Sequence, residues 1–85
     1  MSEVFRVEKN RDYTTMANFH LRDRNLSLKA KGLLSLMLSL PDDWEYSVVG
    51  FAQICKDGVS SIRATMKELQ QNHYLTLVQS RDEYG

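Results

Sequence analysis

The sequence predicts a mainly helical α+β fold: a single domain with a three-helix core followed by the start of a small β-hairpin. Three observations carry that expectation. Apolar residues recur at helical spacing in three consecutive stretches between Leu28 and Asn72. Capping or breaking residues separate the stretches: Ser27, Pro41, Ser47 and Asp57-Gly58. The last stretch then runs into "YLTLVQS", residues 74–80, which is rich in β-formers.

Composition bounds the rest. At 85 residues the chain suffices for one domain with a modest core. With 42% hydrophobic and 26% charged residues and a single proline, it has the makeup of a folded protein rather than a disordered one. Cys55 is the only cysteine, so no internal disulfide can form, and no charged-then-apolar leader opens the chain. A reduced, cytoplasmic setting is expected. The most apolar run, "LLSLMLSL" at 33–40, is far shorter than the ~20 residues a membrane span needs.

Taken in order, "VFRVEK" alternates Val4, Phe5 and Val7 with polar residues and predicts a short strand. "TTMANFHLRD" predicts one or two helical turns capped by Thr15, with Met16, Phe19 and Leu21 as apolar contacts. Ser27 should cap a first helix over 28–40, ended by Pro41. Its leucines and Met37 cover most of the circumference and leave a strip of Lys31, Ser35 and Ser39, which predicts a central, largely buried helix. Pro41-Asp42-Asp43 reads as a turn, Trp44-Glu45-Tyr46 as a three-residue strand, and Ser47 as the cap of a second helix over 48–56. There Val48, Phe51, Ala52 and Cys55 share one face.

Asp57-Gly58 breaks the pattern, with Asp57 available as a cap, and a third helix is expected over 59–72. Val59, Ile62, Met66 and Leu69 form its inward stripe, while Ser60, Ala64, Lys67 and Gln71 point away and Arg63 lies on the flank. Leu33, Leu34, Met37, Phe51, Ile62, Met66 and Leu69 should be mostly buried. The strand over 74–80 and the turn "RDEYG" begin a hairpin that the chain does not complete, so the domain is expected to be the N-terminal part of a longer protein.

Helix, short aromatic strand, two tightly joined helices and a hairpin start follow the order of a winged helix-turn-helix. Ala52 and Ile62 suit a close helix crossing, a small residue under a branched one. The stretches "LSLKAKGLLSLMLSLP" and "ICKDGVSSIRATMKEL" moreover resemble the N-terminal winged-helix domain of replication initiators, or replisome organisers, from phages and integrated mobile elements of Gram-positive bacteria. The resemblance runs from about Phe5 to Gly85; His73 stands where that family usually has glycine before Tyr-Leu.

The resemblance implies binding to double-stranded DNA, with the third helix in the major groove and the wing along the backbone. Ser60, Ser61 and Arg63 then lie where base edges come within reach, Arg63 with two donors for guanine, and Ala64 permits close approach. Lys67 is placed for a phosphate, and Gln71 and Arg81, the latter in the expected wing, complete the DNA-binding set. A homodimer, and a helicase or loader engaged through regions outside this chain, are further partners of such proteins; no membrane is among them.

Two observations weigh against this reading. Eleven basic and eleven acidic residues cancel, whereas nucleic-acid binders usually carry a basic surplus. Exposed Arg and Lys on a helix are most often a solvated face, and Lys67 beside Glu68 fits that description. A protein-interaction or dimerisation module therefore stands as the rival from another class, and a transcriptional regulator as a variant of the same mechanism. Other chemistry finds no support. His20 and His73 lack partners at metal-ligand spacing, Cys55 falls on an apolar stripe, and no phosphate-binding glycine loop or catalytic set is present; no cofactor is expected.

Overall fold

Ser27 starts the first helix as its chemistry requires: its Oγ accepts the Ala30 backbone N–H at 3.1 Å, and α1 runs over Leu28–Ser39. The computed structural model describes residues 3–6 and 12–77. Past α1, the Leu40 N–H bonds back to Met37 and Pro41 prevents another turn. Ser47 repeats the capping device, accepting the Gly50 N–H at 3.0 Å, and opens α2 over Val48–Ile54. After residues 55–58 the third helix, α3, covers Val59–Gln71. Among the described residues no helix is long and apolar enough to cross a membrane.

α3 packs against both α1 and α2. The core is formed by Leu26, Ala30, Leu33, Leu34, Met37, Phe51, Ile62 and Leu69, with Phe51 and Leu69 fully enclosed. Met66 is half-buried at its edge. Ala52 and Cys55 are half-buried and pack against this cluster, to which Ile62 belongs.

α1 contributes half of the core yet is buried on one side only. Leu28 and Leu38 are exposed, so the expectation of a largely buried helix is corrected. The polar strip is covered in part: His20, 3% exposed, sits against the half-buried Ser35 with Nε2 and Oγ 2.9 Å apart, while Ser39 is exposed. Ser35 donates its only proton to the Lys31 carbonyl, so the His20 Nε2–H must be the donor to Ser35.

The expected β-structure is not seen in the described residues. Among the described residues there is no strand and no sheet, which replaces the winged α+β expectation with a three-helix fold. Trp44-Glu45-Tyr46 follows a turn in which the Trp44 N–H bonds to the Pro41 carbonyl, and Tyr46 is anchored through its hydroxyl to the Met37 carbonyl at 2.8 Å. A side-chain anchor has taken the place of a ladder. Tyr74 and Leu75 turn onto the core, while Thr76 and Leu77 are exposed, with no strand beside them among the described residues. β-propensity expresses fit to a pleated, half-buried surface, and here a helical core occupies that role. Val4, Phe5 and Arg6 lie outside any strand; the rest of the first expected strand and residues 78–85 of the expected wing lie outside the described residues.

Two smaller corrections concern caps. Thr15 does not start a helix; the chain instead makes a 3-10 turn at His20–Arg22, five residues later, where the buried His20 meets Ser35 of α1. Gly58 rather than Asp57 occupies the N-cap of α3, and no side chain caps that end.

The C-terminus of α3 closes in a Schellman arrangement. The His73 N–H bonds to the Gln70 carbonyl at 3.0 Å, and the Tyr74 N–H reaches the Leu69 carbonyl at 2.8 Å. His73 carries the positive φ this geometry demands, 68°, a conformation glycine adopts far more cheaply.

Candidate nucleic-acid interface

The outer face of α3 follows from its inner one. Ile62, Thr65 and Leu69 are buried, and Thr65 satisfies its hydroxyl by donating to the Ser61 carbonyl at 2.8 Å. Helical spacing then turns Ser60, Arg63, Ala64, Lys67 and Gln71 outward, and all five are exposed. Ser61 departs from the expected set. It is half-buried on the side facing α1, and its Oγ accepts a hydrogen bond from the Lys29 ammonium. Arg81 lies outside the described residues.

The acid on α3 is accounted for in a way that sequence adjacency does not suggest. Glu68 turns from Lys67 toward α1, where Oε2 accepts the Ser27 backbone N–H at 2.7 Å and Oε1 the Ser27 hydroxyl at 2.8 Å. In a local capping box the helix's own third residue supplies that carboxylate, but Ala30 holds the position in α1. A residue 41 positions away completes the motif. The result bears on electrostatics: the outward residues of α3 present Arg63 and Lys67 beside neutral side chains. Among the described residues neither cation is engaged in an ion pair.

A second tertiary contact flanks this face. Lys29, exposed at the start of α1, reaches Ser61 in the first turn of α3. It also lines a groove of about 220 Å³ whose walls include Leu33, Leu36, Ile62 and Asp57. Neither Lys29 nor the role of Glu68 is legible in the sequence, because both contacts span more than 30 residues and depend on how α1 crosses α3.

Beyond this face, Asp23 accepts the Tyr74 hydroxyl at 2.8 Å and the Asn25 backbone N–H at 2.8 Å. The Asn25 bond first, then the Tyr74 bond, hold the Asp23 carboxyl below the ordinary carboxylate range, aided by the charge of Lys31. Desolvation, then the partner carboxylate, push the Tyr74 phenol up. The pair pins the end of α3 to the segment preceding α1. Among the described residues no group of three His, Cys, Asp or Glu side chains is placed to hold a metal ion. No protein-family model matches the chain, and no match is found among curated proteins or solved structures.

Proposed function

We propose that this protein binds double-stranded DNA with sequence preference by laying α3 in the major groove. The observation that carries the reading is the diversion of Glu68 to Ser27, which leaves Arg63 and Lys67 as the charged groups on an outward face otherwise made of Ser60, Ala64 and Gln71. A helix face of small and basic residues can approach base edges closely and still meet phosphates. Arg63 serves as the base reader, Lys67 as the phosphate contact, and Ser60 and Gln71 border them. The replication-initiator resemblance supports a role at the origin of a phage or mobile element, in a cytoplasm where the half-buried Cys55 stays reduced.

The test is titration of a duplex selected from a random pool, and of its scrambled counterpart, at several salt concentrations. Arg63→Ala should cost about 1–3 kcal/mol on the selected duplex and relax the choice of one base pair. Lys67→Ala should weaken both duplexes alike and lower the salt slope by about one unit. If neither folded variant differs from the parent on any duplex, α3 does not read DNA, and the neutral net charge of the chain then favours a protein-docking module.

A further inference from the structure

The contact between Lys29 and Ser61 joins two helices on the flank of the proposed DNA-reading face. A lysine ammonium has three donors and a full charge, and a serine hydroxyl answers only one donor and none of the charge. Holding the long side chain extended toward Ser61 costs rotamer entropy, so a neutral acceptor is a weak tether. Among the described residues no carboxylate pairs with Lys29, although Asp57 lines the same groove. Leu33, Leu36 and Ile62 give the groove an apolar wall that offers the ammonium no further acceptor.

The geometry points to Lys29 as a sequence-independent phosphate clamp supplied by α1, resting on Ser61 in the free protein and transferring to a backbone phosphate when α3 enters the groove. A phosphate oxygen is a charged acceptor and forms the stronger, charge-assisted bond. Lys29 sits beside the first turn of α3, which carries Ser60 and precedes Arg63, so the clamp would hold the end of the helix that approaches the bases. Ser61 thereby becomes a positioning residue for Lys29 rather than a reader of bases. The assignment rests on the DNA-binding reading and adds a second element to it.

The experiment uses the intact chain with a fluorescently labelled pool of random-sequence duplex, titrated across a salt series. Lys29→Gln should lower the slope of log affinity against log salt by about 0.9, the release of one counterion, and Lys29→Arg should restore it. Ser61→Ala should keep the parent slope, because the phosphate and not the hydroxyl is the final partner. Lys31→Ala serves as control: the same helix carries it, but its charge acts on Asp23, and the slope should not change. Circular dichroism melts establish that each variant is folded. An unchanged slope in Lys29→Gln, with the slope lowered in Lys67→Ala, overturns the clamp and leaves the α3 reading standing. Absence of salt-dependent binding by the parent overturns both.

Discussion

The two seams along α3 are built from different interactions. Toward α2 the contact is apolar: Phe51 is fully buried, Ala52 and Ile62 belong to the same packed region, and among the described residues no side-chain hydrogen bond crosses from α2 to α3. Toward α1 the apolar floor of Ala30, Leu33 and Leu69 is overlaid by polar ties, Ser27 to Glu68 and Lys29 to Ser61. Apolar burial is strong and non-directional, whereas hydrogen bonds contribute less and demand one geometry. The difference teaches that both seams bury apolar surface, while the α1 seam alone adds directional ties that fix how Glu68 and Ser61 are held.

The heaviest blow to that comparison is struck at Phe51. It is wholly enclosed and stacks on Tyr46 with ring centroids 5.9 Å apart, so Phe51→Ala should cost about 3–5 kcal/mol in urea denaturation. A loss near that of an exposed residue would show that α2 is dispensable to the core.

The polar seam should yield a smaller effect and a different signature. Glu68→Ala should cost about 1.5 kcal/mol, and Ser27→Ala a similar amount because it also removes the α1 cap. Since both act through one linkage, the double variant should fall short of the sum by about 1 kcal/mol. Simple additivity would mean that the two residues do not support each other. Glu68→Ala removes an acid from the helix carrying Arg63 and Lys67 without touching either, so DNA affinity should hold once the protein is folded.

At the end of α3 a substitution should stabilise. His73→Gly relieves the left-handed backbone strain at φ 68° but adds glycine's own entropy loss, for a net gain of about 0.5 kcal/mol. His73→Ala should bring no such gain. If glycine destabilises, the Schellman arrangement is not the resting state of that terminus.

The mildest perturbation is pH. The depressed Asp23 carboxyl contributes stability above its ordinary value of 3.8, and the contribution is lost as pH falls through the lower folded value. The raised Tyr74 phenol contributes fully below 10.0, and that contribution disappears as pH climbs through the higher folded value. Tyr74→Phe should therefore reduce the pH dependence of the urea midpoint at both extremes. An identical profile in the variant would mean that the pair does not couple to folding.

The positions of α1, α2 and α3 were legible in the residues because each rests on local chemistry. Ser27 and Ser47 cap through backbone N–H groups three residues away, Pro41 cannot continue a helix, and Ile62, Met66 and Leu69 carry the inward stripe of α3 at helical spacing, although Val59, expected to belong to it, is exposed. The outward set Ser60, Arg63, Ala64, Lys67 and Gln71 follows from the same periodicity. What local chemistry could not decide was partnership. "YLTLVQS" and Trp44-Glu45-Tyr46 have the composition of strands, but a strand exists only where another lies beside it, and Tyr74, Leu75 and Tyr46 are held by the helical core instead. The strip of Lys31 and Ser35 reads as solvent-facing until His20 covers it. Lys67 and Glu68 read as a solvated charged face until the crossing of α1 over α3 gives Glu68 its partner in Ser27. Helix positions and the outward set of α3 were written in the sequence because caps and periodicity act over a few residues; the partner of Glu68 was decided by the tertiary structure, because its contact with Ser27 joins residues 41 positions apart.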